Sequence, residues 1–239
     1  LIFLLDNSVL PGAPTLTDAE RDYLRALPRD FGAEHIKRLG EFEAVTRHDV
    51  KAVEYLIGEY LEAAAGKLGE GTTLPTLREV VHIFCTSEDI NNLAYALTIK
   101  AATEQVWLPA IRALLDRLRG LAEAGAAVPM LAHTHGQPAT PVTIGKEMAV
   151  FAHRLSRQIK RVEATEYLGK INGATGTWAA HVVSVPGADW PTLARSFVEG
   201  LGLTWNPLTT QIESHDWQAE LYADVARAGR IAHNLATDA

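Results

Sequence analysis

The stretch 143–162 reads TIGKEMAVFAHRLSRQIKRV, and the spacing of its apolar residues decides the fold of this chain. The apolar positions step by 3, 4, 4 and 3 residues, at Met148, Phe151, Leu155, Ile159 and Val162. Such a stripe lies along one face of a helix and is typical of long helices packed side by side in a bundle.

The same period extends over most of the chain. A very long helical pattern runs from Ser87 to about Glu123, and Pro109 is expected to kink or split it because proline lacks an N–H donor. The remaining helical patterns cover about 17–26, 30–39, 49–68, 189–201 and 214 onward. Strand patterns are nearly absent. The sequence therefore predicts an all-α bundle of long helices, with its chemistry left to the loops. The inserted region 63–77 contains Gly and Thr, which favour a surface loop.

Composition narrows the classes of protein and of partner. The formal net charge of −7 argues against nucleic-acid binding, because gripping phosphates requires clustered Lys and Arg. Cys85 is the single cysteine, so no intrachain disulfide forms and a reducing cytoplasm is expected. The apolar opening at 1–5 is far shorter than the roughly 20 residues that span a bilayer. Because the chain begins without Met and ends within a helical pattern, we expect a piece of a longer protein.

Polar residues gather where the predicted helices break. Arg47, His48 and Asp49 precede one helix, where they serve either as ordinary capping and surface charges or as a site for an anion. Thr86 and Ser87 open the longest helix, whose free N–H groups, with these hydroxyls, suit a carboxylate or phosphate.

Two more breaks carry candidate site residues. His135 lies in the stretch LAHTHGQPATP at 131–141, where Gly136 and two prolines predict a rigid loop that aims an imidazole. An imidazole gives or takes a proton near neutral pH. Gln211 offers both a donor and an acceptor for a polar group.

Three interpretations stay open from the residues alone. One is an enzyme that uses His135 as an acid or base. The second is a metal-dependent hydrolase whose ligands include His133 and His135, although no further ligand stands at a recognisable spacing. The third is a non-catalytic helical assembly module in which the polar segments are only caps and loops.

Longer motifs make the chain resemble the adenylosuccinate lyases of the fumarase/aspartase superfamily. The residues that carry the resemblance are Thr-Ser-Glu-Asp-Ile-Asn-Asn at 86–92 and Thr-His-Gly-Gln-Pro-Ala-Thr-Pro at 134–141. It extends through 48–55, 144–148, 169–174, 205–207 and 210–213, and thus covers nearly everything from about residue 40 onward.

The resemblance implies a C–N lyase that releases fumarate from adenylosuccinate and from the related succinylated imidazole carboxamide ribotide, without metal or organic cofactor. It implies that His135 is the general acid, and that the substrate-binding residues are Arg47, His48, Asp49, Thr86, Ser87 and Gln211. His82 would support the site from behind. It further implies a cytoplasmic homotetramer with a small-molecule substrate.

The resemblance also implies that parts of the family's active site are missing here. The flexible loop that carries the serine base, an Arg-Tyr pair and the phosphate-binding residues have no counterpart in this sequence. We therefore expect an incomplete N-terminal helical domain at 1–85, followed by the first part of the central long-helix domain at 86–239. Such a piece is expected to be inactive alone.

Overall fold

A computed structural model describes residues 1–238, and they are mostly helical, as the sequence predicts. The α-helices are α1 Ile2–Asp6, α2 Asp18–Ala26, α3 Ala33–Thr46, α4 Asp49–Ala63, α5 Ala65–Leu68, α6 Ser87–Ala102, α7 Leu108–Ala124, α8 Ile144–Glu163, α9 Ala179–Ser184, α10 Trp190–Gly200 and α11 Asp216–Asp238. A 3₁₀ helix covers Leu74–Val80 and a π-helical turn covers Thr103–Trp107. Strands β1 Pro129–Thr134 and β2 Gln137–Thr143 form an antiparallel hairpin, and β3 Leu168–Gly169 pairs with β4 Thr204–Trp205. No helix within 1–238 is long and apolar enough to cross a membrane.

Helix α8 is the helix that the apolar stripe predicts. Phe151, Leu155, Ile159 and Val162 are all buried, and the helix packs against both α7 and α11. Thr143 caps its N-terminus by accepting a hydrogen bond from the Lys146 N–H at 3.2 Å. The stripe thus identifies both the helix and the face that enters the core.

Pro109 interrupts the long helical pattern, as expected. The chain leaves α6 through the wider π-helical turn and restarts as α7 at Leu108, which places Pro109 in the first turn. A first-turn residue has no intrahelical acceptor for its N–H, so proline is tolerated there. The single pattern therefore becomes two helices.

Three segments differ from the sequence predictions. The second helix begins at Ala33 and runs to Thr46, instead of covering 30–39. The region 63–77 is only partly a surface loop, because it contains α5 and because Leu74 and Leu77 are buried in an apolar cluster. The stretch 131–141 is part of a two-stranded antiparallel hairpin and not the predicted rigid loop. Its prolines favoured the loop prediction.

Contacts divide the chain into two compact units. The first comprises Leu1–Ala94 and Gly169–Glu213, and it contains an apolar cluster that includes Leu16, Leu61 and Leu74. The second begins with Tyr95–Leu168 and resumes at Ser214; its core is formed by α7, α8 and α11. The predicted domain boundary at residue 85 concerns the longer protein and stays a prediction.

A buried carboxylate in the first unit ties α2 to the loop before the 3₁₀ helix. Glu20 accepts hydrogen bonds from the N–H and hydroxyl groups of Thr17 and of Thr73, and from the Thr72 hydroxyl, all at 2.7–2.9 Å. Burial alone would raise the pKa of Glu20, but these donors outweigh it and lower the pKa from 4.5 to about 2.

This arrangement predicts a loss of stability in acid. Because the folded pKa lies below the unfolded one, the Glu20 carboxylate stabilises the fold above about pH 4.5 and loses that effect as the pH falls towards 2. The shift corresponds to about 3 kcal/mol. Urea unfolding should therefore separate wild type from Glu20→Gln at pH 7, and the gap should narrow steadily below pH 4.5. Glu79→Gln, at a 92% exposed side chain, serves as control. A gap that is constant from pH 7 to 2 would contradict this assignment.

Candidate active site

Thr86 and Ser87 lie at the N-terminus of α6, as expected. The Asp89 carboxylate reaches back to accept a hydrogen bond from the Thr86 N–H at 3.0 Å, and the Asp89 N–H donates to the Thr86 carbonyl at 3.0 Å. An acid three residues into a helix satisfies the first free N–H in this way. The cap fixes the backbone that carries the two hydroxyls, at the helix end that attracts anions.

His48 contacts Ser87 across the first unit. His48 is the N-cap of α4, and its Nδ1 accepts a hydrogen bond from the Lys51 N–H at 3.2 Å. Its Nε2 lies 3.2 Å from Ser87 Oγ. In the neutral ring, Nδ1 as acceptor leaves the proton on Nε2, which then donates to Ser87. The Ser87 hydroxyl keeps its own proton for a bound acceptor.

Asp49 and Arg47 flank this histidine on the exposed side. Asp49 Oδ1 lies 3.4 Å from His48 Nδ1, and Asp49 Oδ2 lies 3.5 Å from Asn91 Nδ2. Arg47 ends α3 in the left-handed conformation, with φ of 51°, and its side chain is exposed. Arg47 directly precedes His48 in the sequence, and an exposed guanidinium suits an anionic ligand.

Gln211 joins the site from a distant part of the sequence. Its Nε2 donates to Thr86 Oγ1 at 3.1 Å, although the two residues are separated by 125 positions. The contacts therefore run from His48 to Ser87, through the adjacent Thr86, to Gln211. The structure brings these predicted residues together within one unit.

His135 lies in the second unit, at the tip of the hairpin. His135 and Gly136 form the two-residue turn between β1 and β2, with φ of 53° and 75°. Positive φ at both positions is the turn that matches the twist of a tight hairpin, and glycine makes the second position easy. The imidazole is exposed at the tip. Turn geometry, rather than an irregular loop, determines its position.

His133 does not share this position. It pairs with Pro138 in the ladder, next to a register shift between Leu131 and His133. Within residues 1–238, no group of three or more His, Cys, Asp or Glu side chains could hold a metal ion. Neither His133 nor His135 therefore belongs to such a group among the described residues.

Burial shifts the pKa of two side chains just before Thr86 in the sequence, His82 and Cys85. His82 lies four residues before Thr86 in the sequence. Burial lowers the pKa of His82, which favours the neutral form of its ring. Burial also raises the pKa of the Cys85 thiol to about 12, so it is not a thiolate nucleophile at neutral pH.

Sequence reasoning missed a buried polar cluster behind the site. Asp89 and Lys170 form a fully buried ion pair, with Lys170 Nζ 2.8 Å from Asp89 Oδ1. Asn92 and Asn172 are buried beside them. A lysine is almost never fully buried unless it is paired. The only sequence signal was that Lys170 and Asn172 interrupt a Gly-rich loop in which apolar residues are few.

Comparison with known proteins identifies the family. A family model described as "Lyase" matches residues 8–238. This chain belongs to that lyase family. The lyase chain is 47% identical over 228 residues to adenylosuccinate lyase of Escherichia coli strain K12, a match that covers 95% of the chain and 48% of that relative. It is 44% identical over 219 residues to adenylosuccinate lyase of Vibrio cholerae, covering 91% and 46%.

The fold of the lyase chain matches a solved structure as well. A crystal structure of a fumarate lyase from Mesorhizobium sp. BNC1 has a TM-score of 0.75 and 23% sequence identity, covering 99% of this chain and 50% of that one. The lyase chain therefore has the fold of these long-helix lyases. It spans about half the length of the curated relatives that it matches.

Proposed function

We propose that the chain supplies one part of an adenylosuccinate lyase active site. The reaction is the elimination of fumarate from adenylosuccinate, which gives AMP, and from the succinylated imidazole carboxamide ribotide of purine biosynthesis. The observation that supports this most is the pair of hydroxyls at the α6 N-terminus, held between His48 and Gln211. These groups suit the carboxylates of a succinyl group.

In the proposed reaction a base removes the proton beside one carboxylate. The C–H electron pair forms the carbon–carbon double bond of fumarate, and the C–N pair leaves with the nitrogen, which takes up a proton. Negative charge builds up on the carboxylate next to the carbanion. Thr86 and Ser87 would donate to that carboxylate where the α6 dipole also favours negative charge.

We assign protonation of the leaving nitrogen to His135. An imidazole can serve as a general acid. The His135 imidazole stands at an exposed turn whose backbone is fixed by the hairpin. The proton-abstracting base has no candidate among the site residues that we name. Arg47, His48, Asp49 and Gln211 would bind and orient substrate. We propose that the complete protein is a cytoplasmic homotetramer that needs no cofactor, and that this chain is inactive alone.

Ligand binding separates the lyase from a non-catalytic module. The complete gene product should be stabilised by adenylosuccinate, by about 2.7 kcal/mol when the ligand stands at 100 times its Kd, which is visible as a rise in Tm. AMP and fumarate together should do the same at higher concentration. If none of the three ligands shifts the Tm at any concentration, the lyase proposal fails.

Substitutions at the α6 N-terminus test the carboxylate-binding role. Ser87→Ala and Thr86→Val each remove a hydroxyl donor to a charged group, which is worth about 1.5–3 kcal/mol. Each should weaken adenylosuccinate binding roughly 10- to 150-fold in calorimetric titrations. Thr204→Val, at an exposed threonine of the same unit, should bind as wild type does. If all three variants bind adenylosuccinate with equal affinity, Thr86 and Ser87 do not bind its carboxylates.

A further inference from the structure

The Gly-rich loop at 169–176 lies directly behind the proposed site. None of the proposed substrate-binding residues lies in this loop, but hydrogen bonds from several other residues hold its backbone in place. Trp178, just beyond its end, donates from its backbone N–H to the Asn172 carbonyl at 2.9 Å and from its indole to the Ile171 carbonyl at 3.1 Å. The loop is therefore an ordered element whose position is set by hydrogen bonds.

One side of the loop is bound to the N-terminus of α6 through a single carboxylate. Asp89 Oδ1 accepts from Lys170 Nζ at 2.8 Å and from the Asn172 N–H at 3.0 Å. Its Oδ2 accepts from the Gly173 N–H at 3.1 Å and from the Thr86 N–H at 3.0 Å. The carboxylate that positions Thr86 is thus the same one that holds the loop.

A second residue of α6 fixes where the loop begins. Asn92 Oδ1 accepts from the Lys170 N–H at 2.9 Å, and Asn92 Nδ2 donates to the Lys170 carbonyl at 3.1 Å. Both groups are buried. This paired amide–backbone contact leaves the loop no freedom to slide along α6.

The other side of the loop supports the segment that carries Gln211. Asn172 Nδ2 donates to Thr209 Oγ1 at 2.7 Å. Gly176 has a φ of 74°, and a Cβ there would lie 2.3 Å from the Thr209 carbonyl oxygen and 2.7 Å from that of Thr210. The loop therefore presses against the backbone immediately before Gln211.

We propose that loop 169–176 is a positioning element that sets Gln211 against Thr86. The loop is linked indirectly to both partners of the 3.1 Å hydrogen bond from Gln211 to Thr86. One link is Asp89, which accepts from the Thr86 N–H, and the other is Thr209, which lies two residues before Gln211. It would act through neighbours of the substrate-binding residues and not by contacting the substrate itself. Since the role assigned to Gln211 rests on the proposed function, the test includes a readout that needs no substrate.

The matched variants are Gly176→Ala and Gly202→Ala. Both glycines have positive φ, 74° and 77°, so both substitutions bear the same backbone strain. A Cβ at Gly202 meets nothing within 4 Å, whereas one at Gly176 meets the Thr209 and Thr210 carbonyls. Crystal structures should show the contact from Gln211 Nε2 to Thr86 Oγ1 broken in Gly176→Ala and retained in Gly202→Ala. An intact contact in both variants would overturn the proposal.

Kinetics of the complete gene product give the second readout. Gly176→Ala should raise the KM for adenylosuccinate at least tenfold and change kcat far less, because Gln211 contributes binding that is common to substrate and transition state. The double variant Gly176→Ala/Gln211→Ala should have the same KM as Gln211→Ala alone. Gly202→Ala should lower Tm less than Gly176→Ala does, because it adds backbone strain without a clash, and it should leave KM unchanged. A rise in KM that persists in the Gln211→Ala background would assign the loop a purely structural role.

A gentler variant keeps the test decisive if Gly176→Ala fails to fold. Thr209→Val keeps a similar side-chain volume but removes the 2.7 Å bond from Asn172 and the 2.9 Å bond that Thr209 Oγ1 donates to the Thr210 carbonyl. It should change the distance from Gln211 Nε2 to Thr86 Oγ1 and the KM in the same direction as Gly176→Ala does, by a smaller amount. If wild type releases fumarate and Thr209→Val matches it in both readouts, the positioning role alone fails. If wild type neither binds nor converts adenylosuccinate, the proposed function fails, and the crystallographic distances still decide what the loop does.

Discussion

Replacing His135 by Gln in the complete gene product is expected to lower the rate of fumarate release from adenylosuccinate by about 10²- to 10⁴-fold. Glutamine fills a similar volume and keeps a hydrogen-bond donor, but it cannot deliver a proton to the leaving nitrogen. The hairpin fixes the position of residue 135 through its two-residue turn, so the substitution should change chemistry more than structure. Steady-state assays of the complete gene product would measure the change in kcat.

His133→Gln is the matched control for this variant. His133 lies two positions away on the same hairpin, is exposed, and pairs with Pro138 in the ladder. Its substitution should leave kcat within a few-fold of wild type. Equal losses in both variants, reversed by adding a divalent metal, would contradict the metal-independent role assigned to His135.

Replacing Lys170 by Met has the largest expected effect on stability. It leaves the Asp89 carboxylate buried without its cation, which typically costs about 3–5 kcal/mol. Three N–H donors to Asp89 remain, but none carries a formal charge. Urea unfolding followed by circular dichroism, at a fixed protein concentration, would measure the difference in the free energy of unfolding.

Two further variants show whether the buried charge is the cause. Asp89→Asn combined with Lys170→Met should recover part of the loss, because the unpaired charge is gone. Arg195→Met breaks an exposed pair with Glu199 in the same unit and should cost less than about 1 kcal/mol. If Lys170→Met is no more destabilising than Arg195→Met, the buried pair contributes little to the fold.

The helices could be predicted because their signals are local. The apolar stripe of α8 and the proline at 109 act within one or two turns, and each confirmed prediction depends only on residues near it in the sequence. The all-α architecture follows from many such signals together. The hairpin could not be predicted from local signals in the same way. Prolines are typical of loops, and the strand pairing depends on a turn with two positive φ angles.

The sequence indicates individual candidate site residues, but it does not reveal the contacts between them. The polar residues at helix breaks indicated Thr86, Ser87 and His48, because such residues cap helices and also bind anions. The contact between Gln211 and Thr86 joins positions 125 residues apart, and no local pattern encodes it. Lys170 was missed for a related reason. A lysine in a Gly-rich stretch reads as a surface residue until its distant carboxylate, Asp89, is brought next to it.

The most direct test is to incubate the complete gene product with adenylosuccinate in the presence of EDTA and to quantify fumarate and AMP. We expect both products in equal amounts, at the same rate with and without the chelator, since a proton-transfer elimination needs no metal. Failure to form fumarate, or a rate abolished by EDTA and restored by a divalent metal, would contradict the proposed function.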